Sequence, residues 1–291
     1  MKVKLLISAL VASAVAVLGL NAPAHASWGV DNQHQLIPMY IYPFWWVSGN
    51  DWYRVCDNMN TSGIGSTAIM NPDNGPGSSR NSDYDYVIDR CHDAGNNVIG
   101  YVDTNYGAVS ITTVKANIDK YYAWYNVNVG GIDGRIDGIF LDRMSNDYSN
   151  TGSYYREIFN YIKSVAPSSL QNDVIGNPGA PATTDWQLHN TGTPTQAADE
   201  VVIFEGPLAG GSGWGWEDFS EPGWVSNSPA SDIAMLVYAV ASGDIGTACT
   251  NLKNNNAGLV DVTNYDVTQS ATPWNYLQSS TYWSSFRSSC G

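Results

Sequence analysis

Two carboxylates in this 291-residue sequence stand where acid–base chemistry needs them. Asp142 closes the apolar run Gly138-Ile139-Phe140-Leu141, and Glu205 closes Val201-Val202-Ile203-Phe204. Of five glutamates (Glu157, Glu200, Glu205, Glu217 and Glu221), Glu205 alone ends an apolar run. A charge at the tip of a buried strand is costly unless something uses or pairs it. Cleavage of a glycosidic bond requires two such groups. One protonates the leaving oxygen, and the other attacks the anomeric carbon or activates water. The bland reading is that such acids cap the next helix or pair with an arginine, so their surroundings decide the case.

Those surroundings are polar and aromatic. Tyr40, Asn71, Asp103 and Asn177 fall at the ends of other apolar runs, with Tyr101 and Tyr106 flanking Asp103, and Arg143 follows Asp142 directly. Tyr40, Tyr42, Phe44, Trp45 and Trp46 cluster behind the first run. Trp214 and Trp216 lie in a glycine-rich stretch after Glu205, next to Glu217 and Asp218. Aromatic faces beside acids suit stacking on a sugar, including a cationic one. Other chemistries lack their signatures. There is no GxSxG, Walker loop, GxGxxG or CxxC, and the histidines are scattered. No metal or cofactor is expected.

The elements that must position these residues follow from the hydropathy pattern. Short apolar runs at 36–43, 66–72, 97–104, 136–142, 173–178, 200–205, 233–240 and 259–263 read as eight strands. Helical spacing appears between them at 82–94, from Ser110 onward and at 154–165, with Gly95 as a stop signal. The run at 233–240 would also suit a buried helix. Eight strands alternating with helices or helix-length connections predict a (β/α)8 TIM barrel, an α/β fold in a single domain, with a doubly wound open sheet as the rival. In a barrel the active site lies at the C-terminal strand ends, where the polar residues named above occur.

Composition sets the outer bounds. With 13 basic and 27 acidic residues the net charge is -14, which argues against nucleic acid or anionic membrane as partner. Lys2 and Lys4, an apolar run over 5–20 and Ala24-His25-Ala26 read as a signal peptide over 1–26. Its removal leaves 27–291 as the mature, secreted domain and moves the charge to -16. An uncleaved anchor is the alternative. No later run could span a bilayer, so no membrane partner is expected after cleavage, and a monomer is the expectation. Four cysteines allow three pairings. Cys56–Cys91 with Cys249–Cys290 is favoured because each pair joins segments close in sequence.

Taken together the motifs resemble the spherulin-4 family, secreted (β/α)8 glycoside hydrolases related to endo-α-1,4-polygalactosaminidases. The resemblance rests on Ile37-Pro38-Met39-Tyr40-Ile41-Tyr42-Pro43, Met70-Asn71-Pro72-Asp73-Asn74-Gly75-Pro76-Gly77 and Val98-Ile99-Gly100-Tyr101-Val102-Asp103-Thr104-Asn105-Tyr106-Gly107. It continues through Asp137-Gly138-Ile139-Phe140-Leu141-Asp142 and Val202-Ile203-Phe204-Glu205. It implies endo-cleavage of α-1,4-linked galactosamine or N-acetylgalactosamine polysaccharide such as galactosaminogalactan, without a cofactor. Asp142 then matches the acidic motif on the fourth strand, as nucleophile or base, and Glu205 matches the glutamate on the sixth, as general acid. One position departs. The family commonly has Asp-Glu where this chain has Asp142-Arg143. That exchange opens two readings: a barrel that binds sugar without cleaving it, or a guanidinium that holds Asp142 ionised. Whether the configuration at the anomeric carbon is retained or inverted depends on a carboxyl separation that the sequence does not give.

Overall fold

The computed structural model describes residues 33–59, 66–126, 128–167, 171–188, 196–209, 215–269 and 272–291. The expected signal peptide (1–26) and Trp214 lie outside them. Eight strands close into a parallel barrel: β1 (His34–Met39), β2 (Thr67–Met70), β3 (Asn97–Asp103), β6 (Gly138–Asp142), β7 (Asp173–Gly176), β8 (Glu200–Pro207), β9 (Ile233–Tyr238) and β10 (Leu259–Val262). The remaining two strands, β4 (Asn128–Val129) and β5 (Ile132–Asp133), form a small antiparallel hairpin outside it. Closure excludes the open-sheet alternative, and residues 233–238 are strand rather than helix.

Side chains alternate across each strand, which splits the core in two. Leu36, Ile69, Ile99, Phe140, Ile175, Val202, Ala234, Leu236 and Leu259 fill the barrel interior. The opposite face of each strand packs against the outer helices in a larger cluster that includes Ile139, Leu141, Val174 and Val201. The helices are α1 (Asp51–Cys56), α2 (Asp83–Asp93), α3 (Ile111–Trp124), α4 (Tyr148–Val165), α5 (Ile245–Asn254) and α6 (Ser280–Cys290). Helix α2 ends at the glycine stop. Gly95 has φ 80°, its N–H donates to His92 O, and Asn96 N–H donates to Cys91 O, the paired bonds of a Schellman cap.

Two crossovers differ from the expected alternation. Among the described residues, no α-helix follows β7, and only 3-10 turns (Trp216–Asp218, Val225–Asn227 and Ala230–Asp232) follow β8. Helix α4 begins six residues before the spacing suggests, because Asp147 caps it through Ser149 N–H. The favoured cysteine pairs are the ones formed. Cys56–Cys91 staples α1 to α2 and Cys249–Cys290 staples α5 to α6, with Cα separations of 4.5 and 5.0 Å. No helix among the described residues is long and apolar enough to cross a membrane.

Candidate active site

The inward parity of the strands carries the polar residues to one place. On β6, Phe140 faces inward and Leu141 outward, so Asp142 faces the barrel axis at the C-terminal mouth. The same step from Ile175 brings Asn177 inward, and from Ile69 it brings Asn71 inward. On β8 simple alternation would turn Glu205 out. A β-bulge between Val202 and Phe204 inserts one extra residue, so Ile203 and Phe204 both pack outward and Glu205 swings inward. Gly176 precedes Asn177 because the chain there runs close to Met144. A Cβ at that position would lie 2.4 Å from Met144 Sδ.

The two carboxylates share one donor. Asn177 Nδ2 donates to Asp142 Oδ1 at 2.8 Å and to Glu205 Oε2 at 2.6 Å. Those oxygens are therefore at most about 5.4 Å apart, which is the two bonds laid end to end. Tyr101 Oη donates to Asp142 Oδ2 at 2.7 Å, and Trp274 Nε1 donates to Glu205 Oε1 at 2.9 Å. Asn177 is itself held in place, with its Oδ1 accepting from Gly179 N–H and its N–H donating to Leu141 O. Every side-chain donor to the pair is neutral, so orientation is fixed without cancelling charge.

Burial raises the pKa of both acids. For Asp142 the bonds from Tyr101, the Arg143 backbone N–H and Asn177 oppose that rise. For Glu205 the negative charge of Asp142 adds to it. Bonds from Asn177 and Trp274 oppose the rise for Glu205 as well, but Asp142 accepts three such bonds to its two, so the Asp142 anion has the larger hydrogen-bonded support and its charge disfavours a second anion on Glu205. Tyr40 is raised by burial, Asp142 and Glu205, and Tyr101 by burial, Asp142 and Asp103, so both hydroxyls stay protonated.

Two adjoining cavities open on the pair and share Asp142, Asn177, Glu205 and Thr272. One, of about 460 Å³, also contacts Tyr106, Arg143 and Tyr238. The other, of about 330 Å³, contacts Tyr40, Asn71, Tyr101 and Trp274. Of the residues singled out in the sequence, Tyr40, Asn71, Tyr101, Tyr106, Asp142, Arg143, Asn177 and Glu205 thus meet at one mouth. Asp103 lies behind this wall, paired with Arg143. Trp216 packs on Phe204 and Phe219 in the outer core, with ring centroids 5.1 and 5.4 Å away, and lines neither cavity. Its strand-end neighbour Phe204 points outward because of the bulge and takes Trp216 with it.

Arg143 makes its side-chain hydrogen bonds to Asp103, while the attraction of the Asp142 charge is the last of the causes that raise the Arg143 pKa. Its φ of 48° turns the side chain away, and its Nε donates to Asp103 Oδ1 at 2.8 Å while a second nitrogen meets Oδ2. The guanidinium bonds Asp103, and the hydrogen bond from this residue to the Asp142 anion comes from the Arg143 backbone. Tyr238 and Trp274 were missed. Tyr238 ends the seventh barrel strand and shares its inward parity, a signal the sequence carries. Trp274 comes from the segment after β10, and nothing local marks it.

The family model for spherulation-specific family 4, Spherulin4, matches residues 35–290. The chain belongs to this family. It is 37% identical over 145 residues to Spherulin-4 of Physarum polycephalum, covering 50% of this chain but only 38% of that protein. A crystal structure of Aspergillus clavatus Sph3 in complex with GalNAc superposes with a TM-score of 0.66 at 20% identity. The match covers 89% of this chain and 97% of the Sph3 chain. At that identity the likeness establishes a shared barrel fold. Among the described residues, no group of three or more His, Cys, Asp or Glu is arranged to hold a metal ion.

Proposed function

We propose that this spherulin-4 family chain is a secreted glycoside hydrolase that cuts α-1,4-linked galactosamine or N-acetylgalactosamine polysaccharide internally, with retention of configuration. The observation that carries this reading is the shared Asn177 amide. It limits the facing carboxylate oxygens to about 5.4 Å, near the ~5–5.5 Å typical of retaining enzymes and short of the ~6.5–9.5 Å that an inverting enzyme needs for its water. Asp142, with the better-supported anion, attacks the anomeric carbon and forms a glycosyl ester. Glu205 gives its proton to the leaving oxygen, then takes one from the water that resolves the ester. Tyr40, Asn71, Tyr101, Tyr106 and Asn177 bind the flanking sugars. Arg143 and Asp103 neutralise each other at the edge. No cofactor takes part.

The sugar class is supported by the resemblance of the motifs and by a shared barrel whose relative was crystallised with GalNAc. The acidic chain suits a partly deacetylated, cationic polymer. Arg143 leaves the carboxylate pair intact, which favours hydrolysis over a barrel that only binds. The signal sequence over 1–26 and the two disulfides support export, and the protein acts as a monomer.

The test measures reducing ends released from galactosaminogalactan by the wild type, Asp142→Asn and Glu205→Gln. Each variant should lose about 10²–10⁴-fold in kcat. Proton NMR of the first products should show the α anomer. Equal rates in all three proteins would remove the site assignment, and a β anomer would remove the retaining mechanism.

A further inference from the structure

The mouth of the barrel has an aromatic feature that the carboxylate site leaves unused. Directly after β1 the chain turns back on itself through Tyr42, Pro43, Phe44, Trp45, Trp46 and Val47. Tyr42, Phe44 and Trp46 are 43%, 48% and 56% exposed, and contiguous exposed rings, unlike single ones, mark interaction surfaces. They form one continuous surface. Ring centroids are 5.0 Å apart for Tyr42–Phe44, 5.8 Å for Phe44–Trp46 and 6.4 Å for Tyr42–Trp46.

The surface is held rigidly from below. Trp45 stacks on Tyr86 of α2 with centroids 3.9 Å apart, and its Nε1 donates to Asp83 Oδ1 at 3.1 Å. The Tyr42 hydroxyl donates to the other oxygen of Asp83, and Trp52 Nε1 ties down Ile41 O at 2.8 Å. Phe44, Trp45 and Val47 N–H groups close tight backbone bonds within the turn. Exposed rings with so many fixed supports are pre-organised, so a ligand would not have to order them.

Position supplies the occupant. Tyr40, two residues upstream, lines the smaller cavity beside Asn71 and Tyr101. Tyr42 follows Tyr40 by two residues, and the ledge of Tyr42, Phe44 and Trp46 is bonded to Asp83 at the start of α2, the helix that follows β2 and its cavity residue Asn71, so ledge and cavity lie at the same end of the barrel. We infer that this ledge is an outlying subsite on which the polysaccharide stacks as it leaves the cleft, so that long chains bind more tightly than short ones. Sugars present C–H faces that stack on aromatic rings while their edges stay wet, and a hydroxyl (Tyr42) and a carboxylate (Asp83) border these rings. The inference rests on the proposed polysaccharide substrate but needs no particular outcome at the catalytic pair.

The experiment uses Phe44→Ala/Trp46→Ala, two exposed positions whose loss leaves the Asp83 supports in place. In the non-cleaving Asp142→Asn background, retardation in gels containing partly deacetylated α-1,4-galactosaminogalactan should weaken about tenfold on adding the double change. In the active background, KM for the polymer should rise by a similar factor, while kcat/KM for an α-1,4-linked galactosamine trisaccharide stays the same. Equal retardation with and without the two rings overturns the inference. So does a parallel loss on polymer and trisaccharide, which would mean that the ledge only shapes the cleft. A wild-type dimer by sedimentation that the double change dissolves would reassign the surface to a second copy of the chain. If the wild type leaves the polymer uncut yet ring-dependent retardation persists, the hydrolase reading fails and the ledge stands. Absence of any retardation removes the ledge, while trisaccharide cleavage still reports on the hydrolase.

Discussion

The same strands carry buried acids at both ends of the barrel, and the two ends treat them differently. At the closed N-terminal end, Asp137 before β6 accepts from His92 Nε2 and from Val98 N–H, each at 2.8 Å. Asp199, just before β8, accepts from Lys163 Nζ at 2.6 Å and Val174 N–H at 2.8 Å. These acids meet cations and backbone, and they tie α2 and α4 to the sheet. At the open end, Asp142 and Glu205 meet a phenol, an amide and an indole. Burial of an acid therefore does not identify a site in this molecule. Neutral donors at an open cavity do, because they fix geometry and leave the charge for the substrate, whereas a cation cancels it; Asp261, buried on β10 with the neutral Gln278 as a donor, lines neither cavity.

The sharpest way to separate the ends is Asp142→Asn. The new amide keeps the Asn177 and Tyr101 contacts, since its oxygen accepts from Asn177 and the Tyr101 hydroxyl can accept its N–H. A buried anion beside Glu205 disappears. Activity should fall by about 10²–10⁴-fold while stability at pH 7 rises by about 0.5–2 kcal/mol. The pH dependence follows from sign. Both acids have folded pKa values raised above their unfolded ones. Their favourable contribution is complete below the unfolded values and is lost as pH rises through the folded ones. The gain from Asp142→Asn should therefore be absent near pH 4 and present at pH 7. Denaturant melts at the two pH values check it, and a destabilised variant at pH 7 would break the comparison.

Lys163→Met should do the reverse. Asp199 would keep its Val174 bond beside Glu200 and Asp173 but lose the Lys163 ammonium, which costs about 1–3 kcal/mol, while kcat is unchanged. His92→Gln probes the same end through pH. The Asp137 bond and the charges of Asp137 and Asp133 outweigh burial and raise the His92 pKa. Its contribution is complete below the unfolded value of about 6.5 and fades as pH rises through the folded one. The stability gap between wild type and His92→Gln should thus be wider at pH 5 than at pH 9. A change in kcat for either variant would blur the division between the ends.

How much of this could be seen in the sequence depends on parity. Strand-end polar residues in phase with an inward apolar residue, such as Asn71 after Ile69 and Tyr101 after Ile99, were legible because side-chain alternation is a local rule. Glu205 was chosen for its position after an apolar run, yet alternation alone would have placed it on the wrong face. The bulge at Ile203 that corrects it depends on the register of β8 against β9 and has no local signature. Trp216 failed for the complementary reason. A tryptophan near a catalytic strand end is as good a core residue as a sugar platform, and Phe204 claimed it. Trp274 belongs to neither case, since it reaches Glu205 across 69 residues of sequence.

Arg143 offers the finest test, because it stands between the two kinds of acid. It belongs to the open end, yet it pairs with Asp103 as the closed-end cations pair with theirs. The Asp103 charge already acts to raise the Asp142 pKa. While Arg143 neutralises Asp103, that effect is held down. In Arg143→Ala the Asp103 charge is bare, so Asp142 should ionise at higher pH. The proposed mechanism needs Asp142 as the anion and Glu205 protonated. The acidic limb of the kcat/KM profile should therefore move up, by less than one pH unit given the exposed position of the pair. The alkaline limb should stay close to where it was. The rate at the optimum should change less than about threefold, since Arg143 touches neither carboxyl group. An acidic limb that stays where it was or moves down would mean that neither the guanidinium's own charge nor its pairing with Asp103 holds the Asp142 pKa down, since both routes predict an upward move.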